Sequence, residues 1–292
     1  MKFKDRVCAT MVTYNTGKEV EVGLRATIPQ VAEVAIIDNG SGQDTIAILE
    51  YLRNRFLNLV IFRNTENLGI AAALNRGVKY ALERGYDWVL TLDDDSEPEP
   101  DMVQKMLGAY YSFELQERNK IAILAPNYTI IKGLVYRQGP SNIIPAAIAS
   151  GQLVKTDIFS KAGFYKEDFF IDGVDHEFCL RLLKFGFKTL LVPSAVLKQR
   201  MGPNPELKKF LGKKFVVANH APLRYYYTYR NGLYLYRNYF IHAPWWTLRS
   251  MFSVTYLFGK MIFFEKQKLE KMAMICRGLF DGIRGRYGKL TA

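Results

Sequence analysis

Four short apolar runs, Val7–Val12, Val34–Ile37, Leu59–Phe62 and Trp88–Leu92, recur along the first part of this 292-residue chain, separated by sequence of helical length. Strand-length runs alternating with helix-length segments predict a mostly parallel α/β sheet, because a parallel neighbour can be reached only through a long crossover. Asp44–Phe56 and Ile70–Arg84 carry apolar residues at helical spacing, and each precedes another candidate strand, as right-handed crossovers require. In such sheets ligands sit outside the carboxyl ends of the strands. Three polar clusters follow predicted strands here: Thr13-Tyr14-Asn15, Asp38-Asn39-Gly40-Ser41 and Asp93-Asp94-Asp95. The topology therefore brings all three to one place.

The acidic triplet directly follows the run Trp88-Val89-Leu90-Thr91-Leu92 and precedes Ser96-Glu97-Pro98. Adjacent carboxylates repel one another, and the repulsion falls when a hard divalent cation such as Mg2+ or Mn2+ sits between them and an anionic ligand, for instance a diphosphate. Taken alone, the same three residues also describe a solvated turn. Asn67-Leu68-Gly69-Ile70 opens a predicted helix, where backbone N–H groups and a small residue would let phosphate or ribose oxygens approach. Helix capping by Asn67 is the structural alternative. No GKS or GKT follows this segment, and the first strand lacks a GxGxxG turn, which removes the ATPase and dehydrogenase readings.

Charge divides the chain: residues 1–195 hold 22 Lys and Arg against 24 Asp and Glu, a net −2, whereas residues 196–292 hold 18 against 4, a net +14. Such polarity predicts a near-neutral catalytic body joined to a basic region that meets an anionic partner. Cys8, Cys179 and Cys276 are far apart, without a CxxC pair or a histidine cluster, so neither a disulfide framework nor a zinc site is expected. The N-terminal MKFKDRVCATMVTYN enters a strand-like run with no signal-peptide pattern, which points to a cytoplasmic body. Arg249 and Lys260 divide the most apolar stretch, so membrane contact is expected to be peripheral, at the inner face of the cell membrane.

The strings MVTYN at 11–15, IIDNGS at 36–41, ENLGIAAALNRG at 66–77, TLDDDSEP at 91–98, FFIDGVDHEFCLRLLKFGFK at 169–188, YYYTYRN at 225–231 and DGIRGRYGK at 281–289 run nearly the whole chain. In order and spacing they resemble the inverting glycosyltransferases of family two, and more narrowly their bacterial rhamnosyltransferase branch. The resemblance implies the GT-A nucleotide-sugar fold, a mostly parallel central sheet flanked by helices, with a basic, aromatic, helical C-terminal region. The expected division is a catalytic domain over 1–205, its nucleotide-sugar half at about 1–100 and acceptor half at about 101–205, followed by 206–292 for acceptor, membrane or subunit contact.

Roles carried over residue by residue place Thr13, Tyr14, Asn15, Asp38, Asn67, Gly69 and Asp93 on the nucleotide. A carboxylate at Asp38 suits a pyrimidine imide, which offers one donor between two carbonyls. The resemblance makes Asp95 the metal ligand and sets Asp94 near the donor sugar or metal. Asp175 becomes the base for the acceptor hydroxyl, with Asp172 and Glu177 as supporting candidates and helix capping as the alternative for Asp175 or Glu177. Related enzymes often carry a histidine after the strand Leu190–Leu197. Gln199 stands there in this chain, and the adjacent Arg200 is a candidate partner for diphosphate.

Tyrosine, tryptophan and phenylalanine mixed with basic residues after Pro203-Asn204-Pro205 suit a lipid headgroup region or single-stranded nucleic acid; the membrane reading is preferred and no nucleic acid is expected. Packing against the catalytic body or in a homo-oligomer competes for the same surface. The expected activity is metal-assisted single displacement of L-rhamnose from dTDP-β-L-rhamnose onto a lipid-linked saccharide in bacterial surface polysaccharide synthesis. The alternatives are a UDP-sugar donor such as UDP-galactofuranose or UDP-N-acetylglucosamine, and a noncatalytic membrane or nucleic-acid adaptor on the same scaffold.

Overall fold

The computed structural model describes residues 6–130, 134–136, 143–199, 206–210, 213–217 and 219–291. The chain forms two compact units, one of Met1–Phe170 with Val174–Arg200 and one of Ile171–Gly173 with Met201–Ala292.

The first unit opens with β1 (Val7–Thr13), α1 (Val20–Thr27), β2 (Glu33–Asp38), α2 (Gln43–Arg53), β3 (Leu59–Arg63), α3 (Ile70–Glu83) and β4 (Trp88–Asp93). These strands pair in parallel in the order β3-β2-β1-β4, with Thr13 level with Asp38 and Val12 level with Asp93. Every residue of β1 is buried, the pattern expected when a strand is covered on both faces and cannot alternate apolar with polar. The register delivers Thr13, Asp38 and Asp93 to the same edge, because parallel strands end their carboxyl termini together.

The unit continues through β5 (Glu97–Pro98), α4 (Met102–Tyr111), α5 (Leu115–Arg118), β6 (Ile121–Ile130), β7 (Leu134–Tyr136), β8 (Ile143–Ile144), β9 (Leu153–Lys155), α6 (Ile158–Ala162), α7 (Val174–Lys184) and β10 (Lys188–Gln199). The short β9 runs antiparallel between β4 and β6, and β6 then pairs in parallel with β10. The β6–β10 register shifts between Val192 and Val196, where Pro193 and Ser194 are exposed. Proline has no N–H to give a ladder, so a break there is the expected accommodation. One apolar core joins β1, β2 and β4 to α4, β6 and β10 through residues including Met11, Ile36, Leu90, Met106, Leu124 and Leu190.

The second unit contains the hairpin β11 (Glu206–Phe210) and β12 (Lys213–Val217), then α8 (Pro222–Tyr239), α9 (Pro244–Phe264) and α10 (Lys268–Ile283). Proline begins both α8 and α9, where its missing N–H leaves no helical bond unmade. A Cβ on Gly278 of α10 would lie 2.4 Å from the Tyr226 carbonyl oxygen of α8, so only glycine permits that approach. The tyrosine-rich stretch becomes legible here. Tyr225, Tyr226 and Tyr227 are buried; the Tyr226 hydroxyl donates to Asp281 at 2.9 Å, and the Tyr227 oxygen accepts the Leu290 N–H at 2.8 Å. Arg230, 1% exposed, donates to the Gly288 carbonyl at 2.6 Å, with its guanidinium 4.8 Å from the Tyr227 ring centroid. Lys271 and Glu265 form a buried ion pair at 2.7 Å, and the Tyr225 hydroxyl donates to the same carboxylate at 2.8 Å. No helix among the described residues is long and apolar enough to cross a membrane.

Candidate active site

The site lies in the first unit, at the carboxyl ends of β1, β2 and β4. The Thr13 hydroxyl donates to Asp38 Oδ1 at 3.2 Å, and the Ser41 N–H donates to Oδ2 at the same distance. Asp38 is 1% exposed, and these two bonds fix its orientation. Each carboxylate oxygen has two lone pairs, so acceptor capacity remains for a further N–H donor. Asn15, at φ 51, closes the rim: its N–H donates to the Ser41 hydroxyl at 2.8 Å and its Oδ1 accepts the Gly42 N–H at 3.0 Å. The Tyr14 ring is half-exposed beside them.

Asn39, read from sequence only as a member of a polar cluster, is a hub. Its Nδ2 donates to Asn67 Oδ1 at 3.1 Å and to the Gly69 carbonyl at 3.2 Å, while its Oδ1 accepts from Asn64 Nδ2 at 3.0 Å and the Leu68 N–H at 3.1 Å. The Gly69 N–H goes to Asn67 Oδ1 at 2.9 Å, and the Ile70 N–H to the Phe170 carbonyl at 2.7 Å. The three backbone donors at the start of α3 are thus spent inside the protein. Gly69 has φ 89, and a Cβ there would lie 2.6 Å from the Phe170 oxygen. Phe170 itself sits at φ 63, ψ −64, a strained γ-turn geometry that turns its carbonyl toward Ile70.

The acidic triplet is half-buried throughout. Asp94 has its carboxyl pushed up to about 6, first by burial and then by the charge of Asp95, against hydrogen bonds from the Thr16 hydroxyl and the Tyr14 backbone. Asp93 accepts from Gln199 Nε2 at 3.1 Å, so the residue at the expected histidine position orients the first acid of the triplet. Arg200 lies outside the described residues. Among the described residues no group of three or more His, Cys, Asp and Glu side chains gathers as a metal-holding set. The donors present are hard carboxylate oxygens that repel one another. That chemistry suits a hard divalent cation, which would need further oxygen donors from outside the protein.

Asp175 stands in the first turn of α7, its side chain 19% exposed. Its Oδ2 accepts the Ala149 N–H at 3.1 Å and its Oδ1 the His176 N–H at 2.8 Å. The next residue, Ser150, places its hydroxyl 3.2 Å from the Asp93 N–H and 2.6 Å from the Ser96 hydroxyl. Thr91 of β4 grips the same segment from below, its hydroxyl donating to the Ala149 carbonyl at 2.5 Å and its carbonyl accepting the Gly151 N–H at 2.6 Å. Tyr128 of β6 donates to the Ser150 carbonyl at 3.1 Å. The Tyr128 phenol is held well above its ordinary pKa, chiefly by burial, then by Asp175, Cys179 and Asp93, so it remains a donor. Segment 147–152 therefore straps Asp175 to the acidic end of β4.

Two other candidates are engaged elsewhere. The Glu177 carboxylate is buried against Arg181 at 2.8 Å, and Arg181 also donates to the Ala162 and Phe164 carbonyls at 2.5 and 2.7 Å. Asp172, at φ 61, belongs to the second unit, where it pairs with Arg224 at 3.0 Å and accepts from the Thr228 hydroxyl at 3.0 Å.

Residues 8–155 match the family model described as glycosyl transferase family 2. The chain is 28% identical to the dTDP-rhamnosyl transferase RfbF of Shigella flexneri, over 97% of both chains. It is 24% identical to the galactofuranosyltransferase GlfT1 of Mycolicibacterium smegmatis, over 80% of this chain and 84% of that one. Among solved structures, S. aureus TarS 1-349 in complex with UDP-GlcNAc superposes with a TM-score of 0.63 at 17% identity, covering 96% of this chain and 81% of that one. GalNAc-T7 with UDP, GalNAc and Mn2+ gives a TM-score of 0.56 at 16% identity, over 70% of this chain and 44% of the other. The fold is that of the GT-A glycosyltransferases.

Proposed function

This chain belongs to glycosyl transferase family 2, and we propose that it moves L-rhamnose from dTDP-β-L-rhamnose to a hydroxyl of a lipid-linked saccharide in bacterial surface polysaccharide synthesis, with inversion. The observation that carries this reading is the strap 147–152, which ties Asp175 to the acidic end of β4. In this reading one hydrogen-bonded framework would hold both the base and the leaving-group site. The near full-length likeness to a dTDP-rhamnosyl transferase supports the donor.

In this reading Asp38 accepts the imide N–H of the thymine, the Tyr14 ring flanks the base, and Asp93 faces the ribose. Asp175 takes the proton of the acceptor hydroxyl as that oxygen forms its bond to the anomeric carbon. The anomeric carbon–phosphate oxygen bond breaks on the opposite side, and its electron pair leaves on the nucleoside diphosphate. A divalent cation, Mg2+ or Mn2+, held by Asp95 beside Asp94, would neutralise charge on that leaving group. Gln199 contributes by fixing Asp93 rather than through the cation.

The test is a screen of dTDP- and UDP-sugars with and without Mn2+, read as nucleoside diphosphate release, with binding followed by calorimetry. Asp175→Asn should keep donor affinity and lose turnover by roughly 10²-fold or more. Asp95→Ala should lose metal-dependent dTDP binding. Undiminished turnover in Asp175→Asn would remove that residue from the role. Turnover of UDP-galactofuranose with none of dTDP-rhamnose would favour the second donor reading, which the galactofuranosyltransferase likeness supports. Salt-sensitive RNA binding without nucleotide affinity would favour the adaptor reading.

A further inference from the structure

Helix α9 presents its aromatic side outward. At 100° per residue, Trp245, Leu248, Phe252, Tyr256 and Phe263 fall within an arc of about 80°. All five are exposed, Trp245, Phe252 and Phe263 at 83%, 75% and 73%. The buried residues of the helix, Thr247 and Met261, lie on the opposite side. With 21 residues the helix is about 32 Å long, so these large apolar side chains form a ridge along it, interrupted at Gly259. Phe240 and Ile241, in the turn before the helix, are also exposed.

Charge decides what covers the ridge. Arg249 and Lys260 flank it on one side, and the helix carries no Asp or Glu between Pro244 and Phe264. Beyond its C-terminal end come the exposed Lys266 and Lys268, within a region, residues 196–292, that holds 18 Lys and Arg against 4 acids. A second copy docking through the same face in a twofold arrangement would set cation against cation with no acid on the helix to match them. An anionic lipid surface supplies what both features need: an apolar layer for the ridge and negative headgroups for its flank. Half-buried Lys260 holds its ammonium 5.6 Å from the Tyr256 ring centroid, beside the ridge.

We propose that α9 is an in-plane lipid-docking helix that seats its Trp245–Phe263 ridge in the headgroup and upper acyl layer of an anionic bilayer. The proposal is independent of which nucleotide-sugar the first unit uses. The test is co-sedimentation of the full chain with phosphatidylglycerol-containing vesicles and with phosphatidylcholine vesicles, alongside quenching of tryptophan fluorescence by brominated lipid.

The intact chain should bind the anionic vesicles with quenching, and binding should weaken with salt. Trp245→Ser with Phe252→Ser should lower vesicle affinity at least about tenfold, since two ridge anchors are lost. Arg249→Gln with Lys260→Gln should lower it roughly fivefold per cation on anionic vesicles and leave phosphatidylcholine unaffected. Trp245, Phe252 and Arg249 are exposed and Lys260 is half-buried at the helix surface, so circular dichroism of the variants should match the parent. Absence of vesicle binding by the intact chain overturns the proposal, as does binding that the ridge variants leave unchanged. So does a dimer by light scattering that these variants dissociate while vesicles go unbound.

Discussion

Glu177→Gln tests the reading that Glu177 is a buried structural acid. Glu177 lies one turn from the α7 N-terminus, two residues from Asp175, and its carboxylate is 3% exposed against an Arg181 guanidinium at 19%. At 2.8 Å the pair attracts by about 6 kcal/mol at an effective dielectric of about 20, before desolvation is subtracted. Removing one partner of such a pair costs about 3–5 kcal/mol, because the remaining charge stays buried. Arg181 keeps the Ala162 and Phe164 carbonyls as acceptors, which puts the loss near 3 kcal/mol. Hydrogen exchange of the amides in 174–184 reads that local stability in the first unit alone. The slowest of them should exchange faster by roughly two orders of magnitude. At low temperature the folded variant should still release nucleoside diphosphate at close to the parental rate. Unchanged protection, or a well-protected variant that has lost turnover, would refute the structural assignment and return Glu177 to the chemistry.

Gly69→Ala should destabilise the first unit by roughly 1–3 kcal/mol and weaken nucleotide binding, since a side chain at φ 89 is strained and its Cβ would lie 2.6 Å from the Phe170 oxygen; equal thermal stability would remove the proposed close packing. In the second unit, Lys271→Met should cost about 3–5 kcal/mol by stranding buried Glu265, and adding Glu265→Leu should recover much of that loss in a double-mutant cycle on urea unfolding. Burial pushes the Cys8 and Cys179 thiols up to about 12, so at pH 8 only ~10⁻⁴ of each is thiolate. Exposed Cys276 should therefore be the single thiol that reacts with an aromatic disulfide reagent in the native chain, with all three reacting in urea, and a second fast native thiol would contradict the burial.

The first four strands were legible because their apolar runs are continuous: a strand buried on both faces writes its position directly into composition. The predicted Val34–Ile37 and Trp88–Leu92 form as Glu33–Asp38 and Trp88–Asp93, each gaining a terminal aspartate because the ladder runs one residue into the polar cluster, and the first also gaining Glu33. Helix Ile70–Arg84 forms as Ile70–Glu83. The site was less complete. Asp38, Asp93 and Asp175 are visible as acids at motif positions, but Asn39, Ser150 and Tyr128 act through partners brought from 20 to 57 residues away. No local spacing encodes such partners.

By itself the sequence determined the parallel order of strand and helix, the convergence of three polar strand ends, and the basic, aromatic character of the C-terminal region. These follow from periodicity and composition, which are local properties. Only the tertiary structure decided how each charge is used. Asp172 and Glu177 look as acidic as Asp175 in the string Asp172-Gly173-Val174-Asp175-His176-Glu177, yet one pairs with Arg224, one with Arg181, and one takes a backbone N–H from the strap beside Asp93. The same holds for the aromatics: Tyr225–Tyr227 fill a core while Trp245 and Phe252 stand exposed. A residue type states what a side chain can do. Burial and the neighbour that folding supplies select which of those things it does.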